Sequence, residues 1–596
     1  MQKNLNKIIL SLQKKENLNR EILSQTKRKN AGSFGIPTNT LLLQAYHKLS
    51  KRGKITESPT LERLLKKREI RTLSGVAPIA VLTKPYPCPG KCIYCPTESG
   101  MPKSYLSNEP AVMRAILNKF DPYKQIQMRL KALKANGHPI DKCELIIMGG
   151  TWSYLPKSYQ TNFIKRCFQA FNQTNQHESD HKSHKSRIRN SCNSRIDSCR
   201  LVDKQNSWQQ TLKDNEHAKH KVIGLTLETR PDYITPKEIL RMRKYGCTRV
   251  ELGVQSIYDD ILKLNQRGGG RADIINATRL LKNAGFKITY HMMPNLPGST
   301  PSRDLKMFKE LFTNPDFQPD QLKIYPCVVT KNSKLYSQLE KNKNSQKTIP
   351  PLLRGGIKGG VIKYQPYTQK QLTNLLIKIK KIIPPYVRIT RLIRDIPSES
   401  IIAGNKISNL RQYIQKEMAQ KKLKCRCIRC REIRGTDYKI SNVKLKKREY
   451  SASEGKEIFL SYEDTKQNKI IAFLRLRLPT EKSINNQQLT INNSAIIREV
   501  HTYGSMIPVG QSGKVEPGRT KSRRMTVMTG QHRGFGKKLT KQAETITRQA
   551  GFNKLIVISG IGVRDYYRKL GYHLKDEYMV KTFDKKTIDD RIINNK

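Results

Sequence analysis

Between residues 76 and 393 short apolar runs rich in β-branched residues recur along the chain: VAPIAVLT, CELIIMGG, KVIGLTLET, RVELGVQS, FKITYHMM, QLKIYPCVV and YVRITRL. Segments with helical spacing of their apolar positions, such as EILRMRKYG and ADIINATRLLKNAG, lie between them. Strands alternating with helices predict an α/β fold with a parallel sheet or barrel, in which catalytic residues gather at the C-terminal ends of the strands.

The pattern changes at three places. Residues 1–75 read as a basic helical arm, with helical spacing in NTLLLQAYHKLSKRGK and LERLLKKREIR and 17 Lys/Arg against 5 Asp/Glu. The stretch 172–221 interrupts the barrel rhythm with polar, repetitive sequence and reads as a disordered surface insertion; the irregular spacing of its His and Cys residues argues against a metal site. From about residue 436 two strands, EIFLSYED and KIIAFLRLRLP, are followed by a strand AIIREVHTYG, a loop, a helix GKKLTKQAETITRQAG, a strand KLIVISG and a short helix. This predicts a second, smaller α/β domain over 436–596, with KSINNQQLTINNS and GQSGKVEPGRTKSRR as exposed loops. The predicted division is thus an arm (1–75), a barrel domain (76–400), a Cys-rich linker (401–435) and the second domain.

Charge narrows the choice of partner. The chain of 596 residues carries 113 Lys/Arg and 48 Asp/Glu, a formal net charge of +65, and such a field attracts polyanions, nucleic acid first among them. No apolar run reaches the ~20 residues that cross a bilayer, and the N-terminus reads as an amphipathic basic helix, so a cytoplasmic protein without a membrane partner is expected. Twelve cysteines in so long a chain are too sparse for a disulfide scaffold, and their clustering suits metal binding in a reducing compartment. Cys143, Cys167 and Cys247 sit in apolar or mixed segments and read as buried small hydrophobes.

The sharpest chemical signal is CPGKCIYC, which places Cys88, Cys92 and Cys95 in a C-x3-C-x2-C loop just after the first strand. Three soft thiolates on one tight loop suit three corners of a [4Fe–4S] cluster and leave the fourth iron open to chelate S-adenosylmethionine (SAM). Zinc is the alternative, but it usually takes four ligands and the loop offers no fourth Cys or His. Gly149 and Gly150 of MGGT form a glycine turn at a strand end where backbone can approach the methionine moiety. Glu228 and Arg230 of LETRPD, and Gln255 of ELGVQS, also end strands and are candidate SAM or substrate contacts.

In the second domain QHRGFGKKL sets glycines before a helix, whose first N–H groups can cradle a pyrophosphate. With ISGIGVRDYYRKLGY and the strand–loop–helix–strand order it looks like the acetyl-coenzyme A site of the GNAT fold. Tyr567 is placed to donate a hydrogen bond to the thioester or leaving sulfur, whereas Tyr566 reads equally as a packing aromatic. Glu499 and His501 alternate on one strand and share a face, as a base or as the wall of the acyl pocket; His501 also fits a core histidine.

A radical barrel fused to an acetyltransferase domain resembles the catalytic subunit of Elongator and its single-chain bacterial and archaeal relatives, the tRNA uridine carboxymethyltransferases. The likeness runs over nearly the whole chain, through IRTLSGVAPIAVLTKP, EPAVMRAIL, IMGGTW, LTLETRPDYIT, YGCTRVELGVQSIYDD, HMMPNLPG, LKIYPCVV, RDIPSE, CRCIRCRE, REVHTYG, QHRGFG and VRDYYRKLGY. It implies a radical SAM partial (β/α) barrel followed by a GNAT-type domain, with acetyl-coenzyme A as the carbon source for 5-carboxymethyluridine at tRNA position 34. By motif, Cys88, Cys92 and Cys95 hold the cluster, and Lys142 contacts coenzyme A from the barrel. Glu499, Val500, His501, Thr502, Phe535, Gly536, Lys537 and Tyr567 complete the acetyl-coenzyme A site. Cys425, Cys427 and Cys430 of CRCIRC resemble a structural zinc link with three visible ligands. The 172–221 tract and the basic loop at 510–524 depart from the family pattern.

The resemblance also implies partners: the tRNA anticodon stem-loop, gripped through phosphates by the basic arm and barrel mouth, and an electron donor for the cluster. A homodimer is left open. Two rival readings are a protein lysine acetyltransferase using the second domain alone and a tRNA-binding scaffold with vestigial sites.

Overall fold

The computed structural model describes residues 1–15, 17–31, 35–66, 72, 74–173, 208–340, 364–434, 436, 438–480, 494–504 and 534–584. The interior of the polar insertion (174–207), most of the 482–494 loop, the basic 510–524 loop and residues 531–533 of the glycine motif lie outside the described residues.

Each apolar run of the first part becomes a strand: β1 (Ala77–Leu82), β2 (Lys142–Met148), β3 (Lys221–Thr229), β4 (Cys247–Gln255), β5 (Lys287–Met292), β6 (Gln321–Ile324) and, after a short β7 (Val329–Thr330), β8 (Arg388–Arg391). They form one sheet in the order β1-β2-β3-β4-β5-β6-β8, parallel at every pairing. Helices such as Pro122–Ala135, Lys157–Asn172, Pro236–Lys244 and Arg271–Asn283 cross between the strands and bury their apolar faces on it. This is a partial (β/α) barrel, and β7 pairs antiparallel with β9 (Ile401–Ala403) beside it.

A second sheet follows, in the order β10-β11-β12-β13-β14-β16-β15. Its strands are β10 (Val443–Ala452), β11 (Gly455–Asp464), β12 (Lys469–Pro479), β13 (Ala495–Thr502), β14 (Lys554–Val557), β15 (His573–Lys575) and β16 (Tyr578–Thr582). Only β13 and β14 run parallel, and they pair over Ala495–Ile497 alone. Because β13 continues to Thr502, the two strands part and leave a wedge at Glu499–Thr502. This mixed sheet with its parted parallel pair has the form that the GNAT-type domain expected from the sequence requires.

Strand β10 is a polar edge (KLKKREY) whose only buried residue is Ala452, so it carries no apolar run to announce it; lysine-rich edges of this kind resist unwanted pairing. Strands β15 and β16 form a two-residue hairpin whose Asp576 and Glu577 both take positive φ, 48° and 65°, a turn usually marked in sequence by Asn-Gly or Asp-Gly.

The N-terminal helices Gln2–Gln13, Asn39–Lys51 and Pro59–Leu65 enclose a small core around Ile8, Ile9, Leu12, Leu42, Leu43 and Leu61. The arm meets the barrel where Thr40 Oγ1 donates to Asn136 Oδ1 at 2.9 Å. The two sheets share apolar core: Ile496, Ile556, Ile558, Ile561, Tyr578 and Val580 pack into the barrel's cluster. Among the described residues no helix is long and apolar enough to cross a membrane.

Candidate active site

The cysteine loop leaves the C-terminal end of β1 and is tied down by backbone bonds from Ile93 N to Asn265 O (3.1 Å) and from Leu335 N to Ile93 O (2.8 Å). Cys92 and Tyr94 are buried, and Cys88 and Cys95 half-buried. At Gly90 the loop folds so closely that a Cβ would lie 3.6 Å from both the Cys88 and Cys92 sulfurs and 2.6 Å from Arg230 Nη1. Arg230 is clamped by Asp232 (Nε to Oδ1, 2.9 Å; Nη2 to Oδ2, 2.6 Å), while its buried Nη1 has no protein partner among the described residues. A buried cationic donor without an acceptor, turned to a thiol loop, fits a site built for an anionic group.

The other strand-end candidates converge on the same rim. Gly149 and Gly150 take φ of +129° and +105°, and a Cβ on Gly149 would meet Thr83 Oγ1 at 2.0 Å, so only glycine fits this turn beside β1. Glu228 accepts from Tyr105 Oη at 2.8 Å. Gln255 ends β4 at φ +70° with its Oε1 buried and without a partner among the described residues; a non-glycine residue held in this region stores strain of the kind found at ligand sites.

Sequence reading missed the charged lining of the barrel. Lys323 (β6) binds Glu251 (β4) and lies 3.4 Å from Glu228, His291 (β5) meets Glu251 at 3.0 Å, and Arg249 pairs with Glu144 (β2) at 2.8 Å. Burial alone would neutralise Glu251, yet Lys323, His291 and Arg249 hold it well below the usual carboxylate range. The signal was available: RVEL and LKIY put charges inside strands of a sheet covered on both faces, where a charge persists only if paired.

At the opposite end of the barrel Lys142 opens β2, the strand whose last residue, Met148, precedes Gly149. Burial pushes its ammonium down to about 8, Asp141 opposing. Glu499 accepts from Arg475 Nε at 3.0 Å and from Lys287 Nζ at 3.4 Å; burial would raise its pKa, but the two cations hold it at about 2. Burial likewise disfavours the Arg249 cation, and Glu144, Glu251 and Glu499 outweigh it. Arg249 therefore sits in the field of both the barrel lining and β13. His501, on the same face as Glu499, is half-buried, its pKa lowered by burial, with Nε2 at 3.1 Å from Ser74 O and its ring against Phe473 and Tyr503.

In the β13/β14 wedge the helix Phe535–Gln549 starts from Gly534 at φ +77°. A Cβ on Gly536 would lie 3.0 Å from Tyr566 Oη and 3.8 Å from Thr502 Oγ1, so helix N-terminus, β13 and the tyrosine pair come together. Val500 packs on the domain core, and Lys537 is exposed beside the first turn. Tyr567 is buried, in edge contact with Tyr566 and Tyr572, and burial keeps its hydroxyl protonated far above neutrality.

Cys425, Cys427 and Cys430 bring their sulfurs within 4.8 Å of one another, next to Lys380 Nζ, 3.6 Å from Cys430 Sγ. That spacing suits one tetrahedral ion, whose Zn–S bonds of ~2.3 Å put sulfurs about 3.8 Å apart. The Cys88, Cys92 and Cys95 sulfurs do not form such a tight set, in keeping with a larger cluster. Cys143, Cys167 and Cys247 are fully buried, and burial raises each thiol's pKa.

A protein-family model for the radical SAM superfamily matches residues 86–311, and one for the Radical_SAM C-terminal domain matches 361–420; barrel and cysteine loop thus define a radical SAM protein. The chain is 39% identical over 563 residues to the tRNA uridine(34) acetyltransferase of Methanocaldococcus jannaschii, covering 92% of this chain and 90% of that one. It is 36% identical over 536 residues to Elongator complex protein 3 of Homo sapiens, covering 87% and 86%. The solved structure of archaeal Methanocaldococcus infernus Elp3 with an N-terminal deletion aligns with a TM-score of 0.64 at 39% identity, over 85% of this chain and 99% of that one. This chain belongs to the Elongator complex protein 3 family.

Proposed function

We propose that the chain is a cytoplasmic enzyme that forms 5-carboxymethyluridine at the wobble position, position 34, of tRNA from acetyl-coenzyme A and SAM. The observation that carries this reading is the ion pair at 3.4 Å between Lys287, which opens barrel strand β5, and Glu499 on β13, which fixes the expected acyl wall of the second domain to the barrel that carries the cysteine loop. Relatives named tRNA uridine(34) acetyltransferase supply the wobble uridine as substrate.

Cys88, Cys92 and Cys95 would hold a [4Fe–4S] cluster, which when bound supplies the electron that cleaves SAM to a 5′-deoxyadenosyl radical. The glycine turn at Gly149 and Gly150 admits the methionine end, and Arg230 Nη1 donates to its carboxylate, with Glu228 and Gln255 on the same rim. Lys142 pairs with a coenzyme A phosphate, and the first-turn N–H groups of Phe535, Gly536 and Lys537 take the pyrophosphate. Glu499, ionised at any working pH, is a weak base near neutrality; it fixes Arg475 and Lys287 and forms the acyl wall with Val500, His501 and Thr502. Tyr567, kept protonated by burial, donates to the thioester. The SAM-derived radical would take a hydrogen atom from the acetyl methyl group and the resulting carbon radical would add to uridine carbon 5; the adduct radical at carbon 6 would return one electron to the oxidised cluster and lose the carbon 5 proton, and water would hydrolyse the thioester to release coenzyme A and leave the carboxymethyl group.

The basic arm (1–75) grips the anticodon stem-loop, and Cys425, Cys427 and Cys430 hold a structural zinc in the linker (401–435) between the barrel (76–400) and acetyltransferase (436–596) domains. The test is anaerobic reconstitution with tRNA, SAM and acetyl-coenzyme A, followed by mass spectrometry of the tRNA nucleosides. Carboxymethyluridine supports the reading; acetyl-lysine that persists in Cys92→Ser, with unmodified tRNA, overturns it.

A further inference from the structure

The helix Pro110–Leu117 follows the cysteine loop and turns only part of its apolar surface inward. Val112 and Ala115 pack on Leu82, with Met101, Tyr105 and Met148 around them. Met113, Ile116 and Leu117, spaced three and four apart on the other face, are 46%, 39% and 73% exposed, and Met128 of the next helix is 37% exposed. Asn118 Nδ2 reaches Met128 Sδ at 3.4 Å, which joins the two helices into one face. A contiguous exposed apolar patch beside a functional loop marks an interaction site.

The rim of the patch is positive. From 110 to 135 the sequence has six Lys/Arg and a single acidic residue, Asp121, and Asp121 is engaged by Arg166 at 2.6 Å. Lys124 and Lys131 are exposed on either side of Met128, and exposed Lys119 follows Leu117. An apolar centre of aliphatic and methionine side chains with a basic rim suits an acidic protein partner. It offers no exposed ring on which a nucleic-acid base could stack.

The patch is also wired to the cysteine loop. Ser104 N donates to the carbonyl of Pro96, next to Cys95, at 3.0 Å. Arg394 donates to Ser104 Oγ at 2.7 Å and to Glu109 Oε1 at 2.9 Å, and Glu109 is the N-cap residue of the Pro110–Leu117 helix.

We infer that this face, centred on Leu117 and rimmed by Lys119, Lys124 and Lys131, is the docking site for a small acidic one-electron carrier protein that reduces the cluster. The inference rests on the radical reading above. Each encounter passes one electron from the carrier, a flavin hydroquinone becoming a semiquinone, to the oxidised cluster, and no atom moves with it. Such encounters are weak, small and salt-sensitive.

The test uses the full chain, reconstituted anaerobically, with bacterial flavodoxin as the probe. Flavodoxin affinity, read from flavin fluorescence, is expected to weaken with salt and to fall about tenfold or more in Leu117→Glu/Lys119→Glu, with an equal drop in the rate of cluster bleaching by flavodoxin reduced through its NADPH-dependent reductase. Release of 5′-deoxyadenosine driven by dithionite should be the same in both proteins, which shows that the variant is folded and loaded. Unchanged flavodoxin affinity in the variant overturns the inference, whether the substitution instead weakens tRNA binding, splits a dimer or changes nothing. Absence of dithionite-driven 5′-deoxyadenosine from the unsubstituted chain would strike the radical reading, while the affinity comparison would still judge the docking face.

Discussion

Arg498 of β13 donates from Nη1 to Asp320 Oδ1 at 3.0 Å, across the boundary between the two sheets, and neither side chain has any exposed surface. Asp320 precedes β6, and its side chain also accepts from Ile288 N at 2.9 Å, so the carboxylate joins β5 to β13. Arg498 also binds Glu457 Oε2 at 2.8 Å, and Lys282, Arg475 and Arg477 complete a buried ionic cluster. Glu499, next to Arg498 in the chain, is thereby fixed relative to the barrel.

Breaking such a pair leaves a buried charge uncompensated, at a cost of about 3–5 kcal/mol. Arg498→Met and Asp320→Asn are therefore each expected to lose roughly that much in urea unfolding, and a loss under ~1 kcal/mol would contradict the lock. Burial would raise the Asp320 pKa, but Arg498, Lys282 and Arg475 drive it far below the ordinary carboxylate value. A depressed folded pKa gives stability that is complete above ~4 and lost only as pH falls further. The seam should hold at mild acidity.

Lys142 gives a second prediction, with its sign fixed by burial. The ammonium titrates near 8, and a phosphate attracts only the charged form, so acetyl-coenzyme A affinity should fall as pH rises from 7 to 9. Lys142→Arg should flatten that fall, because guanidinium stays charged. Lys142→Met should weaken binding at pH 7 by about tenfold or more, the worth of a charge-assisted bond, and abolish the dependence. Calorimetric titration at several pH values measures all three, and a flat profile in the unsubstituted chain would remove Lys142 from the coenzyme site.

The tight Cys425–Cys427–Cys430 set should bind about one zinc per chain. Metal analysis of Cys427→Ser is expected to show zinc lost while the iron content of the reconstituted protein stays unchanged, and melting should drop because metal binding and folding are coupled. Equal zinc in both proteins would mean that the trio is only a buried thiol cluster beside Lys380.

Much of this architecture was legible in the residues. The barrel strands were, because a sheet covered on both faces needs near-continuous apolar runs; the cysteine loop was, because its spacing is local. Strand β10 was hidden because an edge facing water carries KLKKREY instead of an apolar pattern. Glu228 stood out at its strand end and the charges of RVEL and LKIY were legible as charges inside strands, but the Glu228–Glu251–Lys323 pairing was hidden for another reason: its partners come from different strands, and only the curl of the sheet brings them together. Arg498 and Asp320 are 178 residues apart, so no local pattern announces their pairing. The parting of β13 from β14, which opens the wedge at Glu499–Thr502, follows from where pairing stops, and sequence does not mark that point.

At the centre of the proposed reaction a radical generated at the cysteine loop takes a hydrogen atom from the methyl group of acetyl-coenzyme A. The most direct measurement supplies acetyl-coenzyme A with a trideuterated methyl group, tRNA, SAM and reductant to the reconstituted chain and weighs the products. Abstraction from the acetyl methyl group gives 5′-deoxyadenosine carrying one deuterium and a carboxymethyluridine retaining two. Deuterium-free 5′-deoxyadenosine beside a modified uridine would contradict it.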